Sequence, residues 1–178
     1  MGKYDSRIFA AGGLGSISGT VGTLPAGAEL GEERWDNGIK YRLCCNASLG
    51  TATNPGNVLS AVPSAVVGAG NGPWSMTMTT VTGALNGNLA AVCHNATVAT
   101  GYYFWGATYG FLASGVVMSD VSASTGNGLG VGIGGAFSGL TTTTLAQRAV
   151  AFNLTGSMTT THTAPTRIGS VMLAIEGF

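Results

Sequence analysis

Charge is scarce in this chain. Asp, Glu, Lys and Arg make up 8% of its 178 residues, against about a quarter in an ordinary soluble domain. The scarcity is also uneven: Lys3, Asp5, Arg7, Glu29, Glu32, Glu33, Arg34, Asp36, Lys40 and Arg42 crowd the first 42 positions, and only Asp120, Arg148, Arg167 and Glu176 follow. Formal net charge is zero. A sequence-independent nucleic-acid binder needs a basic footprint; none is present, so nucleic acid is not an expected partner. Near-zero net charge gives a free protein little colloidal protection. Gly, Thr, Ser, Asn and Ala stand where charges would be, and such a neutral surface loses little on desolvation because no isolated ion is stripped of water. The chain reads as one built to sit against other protein, in many copies.

Long apolar runs are missing too. No stretch approaches the ~18–20 residues of a membrane-spanning helix, because Gly, Thr and Ser interrupt every candidate, so no membrane partner is expected. Met1-Gly-Lys-Tyr-Asp5 has no apolar h-region, and a secretory signal is not expected either. Cysteine is limited to Cys44, Cys45 and Cys93. An odd number excludes a complete disulfide framework, and buried thiols are the expectation. Hydrophobic content of 45% is enough for a real core, and composition argues against disorder over most of the length.

The organisation is that of an arm and a domain. Residues 1–33 are rich in glycine and lack sustained periodicity; they are expected to form an extended N-terminal arm that orders on a partner surface. Leu14, Ile17, Val21 and Leu24 are its candidate partner-binding side chains. Residues 34–178 are expected to form the β domain. Asp36-Asn37-Gly38 signals a turn, and Ile39–Cys44 then alternates as a strand. Residues 46–73 read as loop around a Val-rich middle. Trp74–Thr79 and Leu89–His94 read as strands joined through a hairpin at Asn86-Gly87.

Gly101–Phe111 is the aromatic centre. Extended, it places Tyr103, Trp105, Ala107, Tyr109 and Phe111 on one face, and Tyr103, Trp105, Tyr109 and Phe111 are candidates for the core or an intersubunit seam. Val116–Met118, Arg148–Leu154 and Ile168–Ile175 complete the strands. Between Gly126 and Gly134 glycine fills every second position. A bare backbone face weakens a strand, so this ladder is expected to admit another sheet or chain. Only residues 29–35 and 141–148 could support a helical turn. Short strands and many turns indicate an all-β antiparallel sandwich or barrel.

Candidate chemistry is thin. Cys44, Cys45, Cys93 and His94 offer soft ligands, but zinc sites space their cysteines by two to four residues and an adjacent pair diverges on a strand. A nucleophile needs a base and an orienting group, and Cys93 and His94, as strand neighbours, face apart. Glycosidase chemistry needs two carboxylates flanking a bond; Glu29, Glu32, Glu33 and Asp36 sit instead among Arg34, Lys40 and Arg42 and suit ion pairs. Gly130–Gly135 matches G-x-G-x-x-G without a βαβ context. No catalytic residue, cofactor or metal is expected.

Two segments carry a resemblance. Gly31-Glu-Glu-Arg-Trp-Asp-Asn-Gly-Ile-Lys-Tyr-Arg-Leu43 and Tyr102-Tyr-Phe-Trp-Gly-Ala-Thr-Tyr-Gly-Phe111, followed by a small-residue strand, a Gly-rich turn, Ala146–Phe152 and Ile168–Leu173, resemble tailed-bacteriophage capsid decoration, or head-stabilising, proteins. The resemblance spans residues 29–178 and rests on order and spacing. It implies a β-rich virion protein on the capsid surface, made in the host bacterial cytoplasm. Its implied partners are the major capsid protein and neighbouring copies, commonly in a homotrimer. A tail or baseplate component, another capsid subunit and a host-glycan-binding virion module are the alternatives. Low charge and the glycine ladder depart from the pattern.

Overall fold

The computed structural model describes residues 19–24, 26–48, 52–61, 74–77, 90–94, 97–118, 128–140, 149–154 and 167–174. Among these residues the fold is all-β, with one 3-10 turn at Ile133–Gly135. The strands are β1 (Thr20–Val21), β2 (Glu33–Asp36), β3 (Ile39–Asn46), β4 (Val58–Ala61), β5 (Ser75–Thr77), β6 (Ala90–Cys93), β7 (Tyr103–Met118), β8 (Gly128–Val131), β9 (Phe137–Gly139), β10 (Ala151–Asn153) and β11 (Arg167–Ala174). They belong to one 11-stranded sheet.

The long strand β7 organises everything else. Its first half pairs with β3 on one edge and with β1 and β6 on the other; its second half pairs with β11. The pairing then returns to β7 twice. One circuit runs β3–β7–β6–β4–β5 and back to β3, and the other runs β7–β11–β10–β8–β9 and back to β7. Each circuit holds an odd number of strands. Directions cannot alternate all the way round an odd ring, so each must contain one parallel pair. Those pairs are β3–β5 and β7–β9. The sheet is therefore mixed, not purely antiparallel as expected.

The two circuits keep their cores on opposite faces of β7. Cys44, Leu59, Met76, Ala91, Cys93 and Phe104 come from all five strands of the first circuit and form one apolar cluster with Trp74 and Val98. Leu112, Val116, Leu129, Val131, Phe137, Ala151, Val171 and Leu173 fill the second, and that cluster continues onto Tyr41, Leu43, Val58, Val92, Trp105 and Ala107. Which residues of β7 face the larger core switches from odd to even numbers at a bulge. Tyr41 lies opposite Ala107 but Lys40 lies opposite Tyr109, which leaves Thr108 as the extra residue. An inserted residue reverses every side chain beyond it. Gly110 follows with φ +111, and a Cβ there would stand 2.6 Å from the Gly38 carbonyl oxygen. The bend needs glycine at that point.

Several expectations are met and several are corrected. The turn at Asn37-Gly38 has positive φ at both residues, the geometry of a tight hairpin between twisted strands. Residues 29–35 form a turn and part of β2, with no helix; Glu33, Arg34 and Trp35 alternate across a two-sided strand instead. Residues 46–73 contain β4. The strands expected to meet through Asn86-Gly87 are not neighbours: β4 pairs with both β5 and β6, and the turn residues themselves lie outside the described set, as do residues 141–148. In the glycine ladder, a Cβ at Gly128 would meet the Ala149 side chain at 3.0 Å and one at Gly132 would meet Ser138 at 3.0 Å. The chain's own residues make the close approach.

The expected boundary at residue 33 cuts through packed structure. β1 adds to the edge of β7. Ala28 is buried, and Val21, Leu24 and Leu30 are partly buried against the main core. The Gly31 amide donates to the Leu43 carbonyl at 2.8 Å. From Gly19 onward, where described, this stretch belongs to the domain.

Candidate binding face

Five strands lie side by side in the order β2–β3–β7–β11–β10. Beyond the Thr108 bulge, one face of this array looks away from the second core. Its register can be read directly. Trp35 lies opposite Lys40, Lys40 opposite Tyr109, and Tyr109 opposite Ala174. In the next row Phe111 lies opposite Met172, and Met172 opposite Phe152. Leu154 follows Phe152 on the same face, and its amide donates to the Ser170 carbonyl at 3.0 Å.

This face is apolar and open. Trp35 is 47% exposed, Phe111 is 49% exposed, and Tyr109, Phe152, Leu154 and Met172 are also exposed. Trp35 meets Tyr109 edge to face with ring centroids 6.0 Å apart, a favoured aromatic geometry. Scattered apolar residues on a surface need no explanation, but a contiguous patch marks a contact site.

Among the described residues, charge on this face gathers at one corner. Lys40 Nζ pairs with Glu33 Oε1 at 2.9 Å, and Arg42 pairs with the same oxygen. Arg42 also donates through Nη1 to the Gly31 carbonyl at 2.7 Å and lies 5.3 Å from the Trp74 ring centroid. Its guanidinium is thus held by a carboxylate, a carbonyl and an aromatic face. The three residues form an internal ion cluster on the β2–β3 side of the face, with Lys40 standing between Trp35 and Tyr109 in the row.

The three thiols are buried and His94 is partly buried. Cys44, Cys45 and Cys93 are free and buried. Burial pushes Cys45 up to about 11 and Cys44 further, so both remain thiols at neutral pH and neither is an activated nucleophile. The Cys93 thiol points toward the Thr53 carbonyl at 4.0 Å, while His94 Nδ1 and the Tyr41 hydroxyl are 3.1 Å apart. Burial holds His94 below its ordinary value. Burial also raises Tyr41 to about 12, helped by Asp36 and opposed by Arg34. Among the described residues, no three His, Cys, Asp or Glu side chains converge as a metal site would require.

The sequence candidates separate in this geometry. Tyr109 and Phe111 lie on the open face. Trp105 is 3% exposed, packs in the core, and has the Arg34 guanidinium 6.0 Å from its ring centroid on the opposite side of the sheet. The expected single aromatic face is therefore divided at Thr108. Val21 and Leu24 pack against the chain's own core, and Leu14 and Ile17 lie outside the described residues. Sequence reading missed Trp35, Phe152, Leu154 and Met172. A signal existed: Val171-Met172-Leu173 is apolar on both sides of a strand, which calls for cover on both faces. No family model, curated protein or solved structure matches this chain.

Proposed function

We propose that this chain is a structural virion protein, a capsid decoration protein that binds the outer surface of a tailed-phage capsid and stabilises it. The observation that carries the reading is the open face of Trp35, Tyr109, Phe111, Phe152, Leu154 and Met172 on a chain whose remaining length is almost without charge. Protein contact is the use that suits such a surface. The resemblance of residues 29–178 to decoration proteins supplies the virion setting. The partners are the major capsid protein and neighbouring copies of the chain. A specific interface of typical size buries about 1,600 Å², and repetition over a lattice adds avidity to each modest contact.

A host-glycan-binding module is the second reading, favoured by one observation. Trp35 and Tyr109 present exposed rings side by side, as a sugar platform would. Trp105, by contrast, is buried.

Add-back to particles tests the proposal. Purified protein mixed with particles that lack it should co-sediment with them and raise their rupture temperature. Failure to co-sediment, or equal robustness with and without the protein, counts against decoration. Glycan-array binding lost in Trp35→Ala would favour the second reading.

A further inference from the structure

We infer that the open apolar face is a self-association surface, on which a second copy of this chain docks face to face about a two-fold axis. The inference rests on the reading of the chain as an assembly subunit and names the partner of that face. Three observations lead to a copy of itself.

The first is area. The six exposed side chains present on the order of 500 Å² of apolar surface, taking roughly 150–250 Å² for each large side chain. With its rim, that approaches the roughly 800 Å² per partner of a standard interface. The second is charge. Net charge is zero, so bringing two copies together meets no overall repulsion. Among the described residues, the charges at this face are Glu33, Lys40 and Arg42, joined in one ion cluster, so the face offers no single sign of charge that would select an acidic or basic partner. The third is shape and polarity. The face is one side of the β2–β3–β7–β11–β10 array, and sheets stack on sheets about 10 Å apart. A sugar would need directional polar groups beside the rings. Around Phe111, Ala113, Ala174 and Met172 offer none, and the Ser170 hydroxyl donates to the Ala113 carbonyl; Lys40, between Trp35 and Tyr109, is engaged with Glu33.

One patch closes on itself only about a two-fold; a three-fold cluster needs two different patches on each copy. The axis falls near β7, the middle strand of the five. Phe111 then lies near its own counterpart, and Trp35 faces toward Phe152 of the partner subunit.

Sedimentation velocity of the full chain over a micromolar concentration series tests this. The wild type should be dimeric. Phe111→Lys and Met172→Lys, both at exposed positions, should keep the wild-type circular dichroism and weaken association by about 30-fold or more, the threshold of an interface hot spot. Phe111→Cys should form an intermolecular disulfide under mild oxidation, whereas Phe111→Cys combined with Met172→Lys should not. A wild-type monomer throughout the series, or an oligomer indifferent to both lysines, overturns the inference. The decoration reading fails separately: a dimer that never co-sediments with particles supports the pairing and sinks decoration, and a monomer that does co-sediment sinks the pairing alone.

Discussion

Phe111 on β7 lies directly opposite Met172 on β11, and both side chains stand in solvent. One position further along β7, Leu112 pairs with Val171, and both are buried. The same two strands are thus apolar on both faces. An antiparallel sheet with one wet face normally alternates apolar and polar. Here the second face keeps the composition of a buried one, which is the physical basis for assigning it a partner.

The chain's three tryptophans differ sharply in access. Trp35 is exposed, while Trp74 and Trp105 are buried. Acrylamide quenching of the dissociated protein should show one accessible component, and Trp35→Phe should remove it. Assembly should protect it. A Trp35 signal equally quenchable before and after assembly would mean that this corner of the face stays open.

Trp105 and Tyr109, four residues apart, should behave in opposite ways. Trp105→Ala removes a core ring and should cost about 3–5 kcal/mol in urea denaturation. Tyr109→Ala truncates an exposed ring and should change monomer stability by about 0.5 kcal/mol or less while weakening association. Comparable losses of stability would contradict the reversal at Thr108.

Glycine should be obligatory at two points on β7. A Cβ at Gly106 would stand 2.7 Å from the Ala91 Cβ and 3.1 Å from Cys44 Sγ, so Gly106→Ala should destabilise by about 1–3 kcal/mol through overpacking. Gly110→Ala combines a positive φ with a 2.6 Å approach to the Gly38 carbonyl oxygen and should cost about 1–3 kcal/mol through backbone strain. Chemical denaturation measures both.

Stability should fall at both ends of the pH range. His94 is held below its ordinary value by burial. As pH drops below about 6.5 the unfolded chain takes up a proton that the folded one resists, so stability present above that point is lost toward the folded value. His94→Gln should flatten this acid limb. At high pH the sign reverses. Burial raises Cys45 to about 11 and Tyr41 to about 12. The folded chain keeps protons that unfolded thiols release near about 8.5 and unfolded tyrosines near about 10. Stability should decline above those values by up to about 1.4 kcal/mol per pH unit for each group. A melting temperature unchanged between neutral and alkaline pH would contradict the burial of these groups.

The strands were legible where local pattern decides. Ile39–Cys44 alternates and is followed by its partner strands; Asn37-Gly38 specifies its hairpin. What remained hidden was set by distant partners. Nothing local to Thr108 announces a bulge, because the extra residue exists only relative to Lys40 and Tyr41. Reading Tyr103 to Phe111 as one face was therefore a natural error. The neighbours of β5 and β6 were hidden for the same reason: β4, which separates them, is four residues inside a stretch that reads as loop. The glycine ladder showed correctly that something approaches closely, and only the fold identifies Ala149 and Ser138 of the same chain as what approaches. Half of the aromatic contribution to the binding face was visible in Tyr109 and Phe111. Trp35, Phe152 and Met172 joined it through register across β2, β10 and β11.

Counting copies of the chain in purified particles tests the central claim most directly. Quantitative mass spectrometry against the major capsid protein should give hundreds of copies per particle, the number a lattice-covering subunit requires. A dozen or fewer would place it at a vertex or tail, and none, with the purified chain a solitary monomer, would contradict the account.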